Sequence, residues 1–272
     1  MIIGIADGTH IATRAGTMRR VIDYGERGQV TVLRNTAEVA FLAAEEIAVA
    51  HLRTARQRKS TWIALSGGST PKAMFEVIKD PLFRRRIEWD RIDIFWGDER
   101  WVPLDSEESN AGEAIRGFID DVGIPEEHYH PWPVTLDDPD AAARAYETSI
   151  RIVTQAMDGT PELDLVFLGM GDDGHTASLF PGTDAIHEQE RLTVAHRVPK
   201  LDAVRLTMTP RLINNARDVV FLVNGEGKAE TLHRVLDGPV DVDTLPSQVI
   251  RPTSGRLRWF VDEAAASRLE RA

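Results

Sequence analysis

The chain contains no cysteine among its 272 residues. Disulfides, thiolate metal sites and cysteine nucleophiles are thereby excluded. No run of about 18 apolar residues occurs, so no membrane-spanning helix is expected. The N-terminus, Met-Ile-Ile-Gly-Ile-Ala-Asp, has no basic region ahead of a long apolar core. No secretory leader is read there, and a cytoplasmic protein is expected. Positive charge is in deficit: 32 Lys and Arg face 43 Asp and Glu, a formal net charge of −11. That balance argues against a broad nucleic-acid footprint, yet it leaves room for a locally basic pocket that takes a small anion. Two catalytic signatures are also missing. There is neither the Gly-Lys-Ser/Thr of a P-loop nor a Gly-x-Ser-x-Gly elbow, which removes the usual marks of P-loop nucleotide binding and of serine hydrolysis.

What is present reads as a globular α/β chain, 42% hydrophobic and 28% charged. Val30–Leu33, Thr61–Leu65, Arg91–Trp96, Leu163–Leu168, Asp218–Val223 and Leu257–Val261 are short apolar runs of strand type. Leu192–Ala195 and Val204–Met208 alternate in the manner of strands. Helical spacing follows Asn35, whose Asn-x-x-Glu resembles a capping box, and recurs after Pro71, over Ser109–Ile119, Ala141–Met157 and Gly227–Leu236, with a short helix at the tail. Strands alternating with helices predict a mainly parallel sheet covered on both faces. Residues 1–28 are loosely patterned and rich in Gly and Arg, a candidate flexible extension, which leaves 29–272 as a single domain.

In such sheets ligands bind beyond the carboxyl ends of the strands. Four strands end in loops of unusual composition: Ser66–Thr70, Gly97–Arg100, Gly169–His175 and Asn224–Lys228. Ser66, Gly67, Gly68, Ser69 and Thr70 stand between a strand and a helix. There glycine lets backbone N–H groups approach an anion, and the hydroxyls donate to it. A capped, tight turn would use the same residues. Asp98-Glu99-Arg100 is either a solvated charged turn or a place where Arg100 grips phosphate and Asp98 meets sugar hydroxyls. Lys228 falls in the first turn of a helix, against the dipole unless an anion is near.

Gly169-x-Gly171-x-x-Gly174 is literally a dinucleotide fingerprint, but its context is wrong. Pro181-Gly182 cuts the following helix short, Asp172 and Asp173 would repel a pyrophosphate, and Glu190 precedes the next strand where an acidic residue should end it. The alternative is a loop that presents Asp173 and His175, a carboxylate able to orient an imidazole that takes a proton near pH 7. His128 and His130 share a face if extended, a spacing that binds metal, but no third ligand of recognisable spacing accompanies them, so they are read as loop histidines.

Together "ALSGGSTP" (64–71), "FWGDERWVP" (95–103), "SNAGEA" (109–114), "LDLVFLGMGDDGHTASLFPG" (163–182), "RLTMTP" (205–210) and "VFLVNGEGKAE" (220–230) resemble the 6-phosphogluconolactonase family, in family order. The resemblance implies a modified Rossmann-like α/β fold with no nicotinamide cofactor and no required metal. It implies hydrolysis of 6-phospho-D-glucono-1,5-lactone to 6-phosphogluconate in the oxidative pentose phosphate pathway. His175 would be the general base. Arg100, Lys228 and Ser66–Thr70 would hold the phosphate, and Asp98 and Asp173 would line the site. The partner is then a small phosphorylated lactone, not nucleic acid or membrane, for a monomer or small homo-oligomer. Two alternatives stand beside it. Glucosamine-6-phosphate deaminases are similar in the Gly-x-Asp-Gly-His loop, but they carry a Glu five residues after the His, where this chain has Phe180. A sugar-phosphate-binding regulator without catalysis would keep the phosphate residues and could dispense with His175.

Overall fold

The computed structural model describes residues 10–12, 18–55 and 60–271. Its main sheet has eight strands in the order β1-β2-β3-β11-β10-β7-β4-β5. These are β1 (His10–Ala12), β2 (Met18–Asp23), β3 (Gln29–Leu33), β4 (Thr61–Leu65), β5 (Ile92–Trp96), β7 (Leu165–Gly169), β10 (Asp218–Val223) and β11 (Arg256–Asp262). The run from β3 to β5 is parallel, and β1 and β2 are antiparallel additions at one edge. A second, antiparallel sheet joins β6 (Asp98–Arg100), β9 (Ala203–Met208) and β8 (Thr193–Val198), in that order.

The central strands are buried on both faces, as apolar runs such as Asp218–Val223 demand. Helix α1 (Thr36–Thr54) starts at Asn35, whose side chain accepts from the Glu38 N–H. Its reciprocal limb differs from an ordinary capping box, because Glu38 reaches past Asn35 to the backbone N–H of Arg34. Helix α2 (Ser69–Lys79) packs against α1. A short helix α3 (Asn110–Ala114), α4 (Pro139–Thr154) and α5 (Ala229–Leu236) complete the set used below. From β3 to β5 the crossovers run one way along the sheet, and from β7 to β11 they run the other way. With right-handed connections this reversal puts α1 and α2 on one face and the later elements on the opposite face.

Two expectations need amendment. Gly97–Arg100 was expected as a loop, but Asp98–Arg100 is a strand, because its backbone pairs with Arg205–Thr207 of β9. The β-like runs at 192–195 and 204–208 belong to this small sheet and not to the parallel one. The candidate extension over residues 1–28 lies partly outside the described residues. Within it Met18–Asp23 pairs with β3, and Ile22 and Tyr24 join the core.

An aromatic group fixes the end of β5. The Tyr146 hydroxyl donates to the Trp96 carbonyl at 3.1 Å and accepts from the Trp96 N–H at 2.8 Å. The Trp132 indole donates to the same carbonyl at 3.0 Å and stacks on Tyr146 at 3.9 Å. The chain therefore leaves the sheet toward Asp98 from a fixed point. Elsewhere on β5, His128 Nδ1 and His130 Nε2 both meet one oxygen of buried Asp93, at 3.0 and 3.1 Å. These histidines serve as hydrogen-bond partners that fasten their segment to the edge strand.

Candidate active site

The four strands whose ends were singled out lie side by side as β10-β7-β4-β5. After β4 the chain moves outward to β5, and after β7 it moves the opposite way to β10. The crevice between the ends of β4 and β7 is therefore the topological switch point, where open α/β sheets bind their ligands. Ser66–Gly68 forms one bank and Gly169–His175 the other. A cavity with two lobes occupies the crevice. One lobe, of 290 Å³, is bounded by Asp173, Ser178, Phe180, Lys200 and Arg205. The other, of 240 Å³, is bounded by Ser66–Gly68, Asn110, Gly169–Gly171 and Lys228. Asp98, Arg100, His175 and Ala177 line both.

The His175 loop is built around its glycines. A Cβ at Gly171 would lie 2.0 Å from His175 Nδ1, so only glycine lets the imidazole fold back over the chain. Gly174 has φ +80°, a left-handed turn that favours glycine. The Gly171 N–H donates to the His175 carbonyl at 2.8 Å and closes the loop. Distant segments brace it. Ser247 donates to the Gly174 carbonyl from both its N–H and its hydroxyl, each at 2.8 Å. Thr231 donates to the Asp172 carbonyl at 2.6 Å.

His175 Nδ1 lies 2.6 Å from Asp173 Oδ1. The carboxylate partner assigns the proton to Nδ1 and leaves the Nε2 lone pair for chemistry. Phe180 stacks on the imidazole, with ring centroids 4.1 Å apart. Lys200, from the β8–β9 connection, donates to the other Asp173 oxygen at 2.6 Å. Burial alone would raise the Asp173 carboxyl. The hydrogen bonds from Lys200 and His175 outweigh it and hold the group well below the usual carboxylate range. The arrangement is a chain of lysine, carboxylate and imidazole, with the exposed lysine at one end and the imidazole at the other.

Asp98 accepts from the Ser178 hydroxyl at 2.7 Å, and the Asn110 amide bonds its carbonyl at 3.0 Å. Glu99 points away from the cavity and is fully buried. It accepts backbone N–H groups of Arg100, Asn110 and Ala111, each at 2.8 Å, and the Ser109 hydroxyl at 3.1 Å. Burial nevertheless pushes its carboxyl up. Glu99 ties β6 to α3 and thereby aims its neighbours Asp98 and Arg100.

The sequence-predicted phosphate residues divide. Ser66, Gly67, Gly68, Arg100 and Lys228 line the cavity. Ser69 and Thr70 form the first turn of α2, and the Thr70 hydroxyl is taken by the Asn224 amide at 2.5 Å. The Ser66 hydroxyl is buried and has no hydrogen-bond partner among the described residues. Lys228 stands just ahead of α5 and pairs with exposed Asp172 at 2.5 Å, which relieves the conflict with the helix dipole. Lys200, Arg205, Ser178, Asn110 and Phe180 were not singled out as site residues: Lys200, Arg205 and Asn110 reach the cavity only through tertiary structure, whereas Ser178 and Phe180 lie three and five residues after His175 and could have been read from that nearness. No group of three or more His, Cys, Asp or Glu among the described residues is arranged to hold a metal ion.

The family described as glucosamine-6-phosphate isomerases/6-phosphogluconolactonase matches residues 34–259. The 6-phosphogluconolactonase of Synechocystis sp. is 42% identical over 214 residues, covering 78% of this chain and 86% of its own. That of Nostoc sp. is 40% identical over 215 residues, covering 79% and 87%. The solved structure of 6-phosphogluconolactonase from Trypanosoma cruzi superposes with a TM-score of 0.78 at 29% identity, over 92% of this chain and 99% of that one.

Proposed function

Since this chain belongs to the glucosamine-6-phosphate isomerase/6-phosphogluconolactonase family, we propose that it hydrolyses 6-phospho-D-glucono-1,5-lactone to 6-phosphogluconate, with His175 as general base. One observation carries the reading. His175, held by Asp173, stands on the wall shared by both lobes of a cavity that Arg100 also lines. The relatives named 6-phosphogluconolactonase support the choice of substrate.

Arg100, Lys228 and the Ser66–Gly68 part of the Ser66–Thr70 loop hold the phosphate and bring the lactone carbonyl near His175. Nε2 takes a proton from water as the oxygen attacks the carbonyl, and ionised Asp173 stabilises the imidazolium that forms. The tetrahedral intermediate then collapses. The ring C–O bond breaks, and Nε2 returns its proton to the departing ring oxygen. No covalent enzyme intermediate is required. Asp98, held by Ser178 and Asn110, is placed to accept from sugar hydroxyls. The unpartnered Ser66 hydroxyl is a donor that a substrate oxygen would satisfy. Phe180 puts an apolar ring against His175 where the deaminase alternative calls for a carboxylate.

The enzyme acts on a diffusible lactone as a monomer or small homo-oligomer in the cytoplasm, without nucleic acid or membrane. A net charge of −11 argues against a nucleic-acid partner, and no helix among the described residues is long and apolar enough to cross a membrane. The test is hydrolysis of freshly generated 6-phosphogluconolactone, corrected for the spontaneous rate, with His175→Ala beside the wild type. Acceleration lost in the variant is expected. Acceleration retained would remove His175 from its role, and none in the wild type, with 6-phosphogluconate still bound, would make the protein a regulator.

A further inference from the structure

The register of the small sheet sets two cations against each other. Arg100 of β6 and Arg205 of β9 are direct cross-strand partners. Like charges directly opposite on antiparallel strands destabilise the pairing. Among the described residues neither guanidinium forms an ion pair. Arg100 donates to the Glu108 carbonyl, and Arg205 reaches only the carbonyl of adjacent Val204, at 3.2 Å. Burial and the Arg100 charge both pull Arg205 below the ordinary arginine range. Asp98 offsets part of this field, but its oxygens already accept from Ser178 and Asn110. The two lysines of the cavity differ, for each has a carboxylate partner: Asp173 for Lys200 and Asp172 for Lys228. The arginines are thus the cavity cations whose charge is left to a ligand.

We propose that Arg205 is a binding and specificity residue that forms, with Arg100, a two-guanidinium seat for the dianionic phosphate of the substrate. The identity of that substrate rests on the lactonase reading above, whereas the seat rests on the register and the cavity lining. Guanidinium forks match phosphate oxygens in pairs, and a dianion cancels the repulsion that the strand pairing imposes. Arg100 lines both lobes, so Arg205 extends its grip into the lobe that holds His175, Ser178 and Lys200.

The test compares Arg205→Gln and Arg205→Lys with wild type on 6-phosphogluconolactone and on unphosphorylated glucono-1,5-lactone. It adds calorimetric titration with 6-phosphogluconate, and melting with and without inorganic phosphate. For Arg205→Gln, KM for the phosphorylated lactone and Kd for 6-phosphogluconate should each rise about 10–100-fold, the worth of a charge-assisted contact. Turnover and the unphosphorylated reaction should change by no more than a few-fold. Arg205→Lys, which keeps the charge and loses the fork, should fall in between. Without phosphate, Arg205→Gln should melt no lower than wild type, and added phosphate should raise its Tm less. Unchanged KM and Kd would overturn the proposal, as would equal losses on both lactones. Should Arg205→Gln fail to fold, wild-type KM in Arg205→Lys would be decisive against the fork. If wild type hydrolyses neither lactone while 6-phosphogluconate binding still depends on Arg205, the seat stands and the lactonase reading falls.

Discussion

Gly171→Ala isolates the position of the imidazole from its presence. The added Cβ would sit 2.0 Å from His175 Nδ1, 2.2 Å from Cε1 and 2.8 Å from Asp173 Oδ1. To regain an ordinary contact of about 3.5 Å the ring must retreat by more than an ångström. That retreat breaks the 2.6 Å bond to Asp173 and the stacking on Phe180. Misplacing a reacting group by roughly 1 Å costs about 100-fold, and losing a general base costs about 10²–10⁴-fold. The kcat for 6-phosphogluconolactone should therefore fall by about 10²–10⁴-fold, while KM moves only a few-fold. The cost to folding should be small, because the His175 side chain is 29% exposed and can swing outward. About 1–2 kcal/mol is expected, or a few degrees in Tm. Initial-rate kinetics at saturating lactone give the first quantity and thermal melting the second. A double-mutant cycle sharpens the test: in a His175→Ala background, Gly171→Ala should have no further effect on rate. A Gly171→Ala enzyme with kcat within threefold of wild type, beside a crippled His175→Ala, would refute the idea that this geometry sets the rate.

Other expectations follow from the same contacts. Asp173 has a depressed carboxyl pKa, so its contribution to stability is complete above the unfolded value of about 3.9 and is lost as pH falls toward the folded value. Asp173→Asn should destabilise at pH 7, and its gap to wild type should narrow below about pH 4; denaturant unfolding across pH that shows a constant gap would count against the ion-pair argument. Glu99→Gln sets an amide NH₂ against backbone donors on one side or the other and should cost about 1–3 kcal/mol, read from the urea midpoint. Asn35→Ala removes the cap of α1 and should cost about 1 kcal/mol without changing kcat.

The residues that stand directly at the ends of parallel strands were legible in the sequence. An apolar run followed by Ser-Gly-Gly or Gly-x-Gly marks a strand end whatever the rest of the chain does, and Ser66–Gly68, Arg100, His175 and Lys228 were found that way. What stayed hidden depended on pairing over long separations. β6 has only three residues, too few for a period, and its partner Arg205–Thr207 lies about a hundred residues on. Lys200 reaches Asp173 only because β8 and β9 fold back over the site. His128 and His130 advertised a spacing suited to metal, but their common partner, Asp93, sits in a strand that reads as merely apolar. The strand β2 was missed because its run, Met-Arg-Arg-Val-Ile-Asp, carries no apolar alternation: Arg20 and Ile22 share a face, yet Arg20 is exposed and Ile22 is buried.

The strand order also bears on the chain's passage from ribosome to folded state. β3 and β10 are not neighbours, because β11 is inserted between them. Until Arg256–Asp262 has been made, the β2–β3 ribbon and the block β10-β7-β4-β5 have no shared ladder, and each presents an open edge to other chains. The last strand among the described residues is the one that joins the two halves of the sheet. Nascent chains halted before Arg256 should be cut readily by protease near β3, and release of the next few residues should protect it.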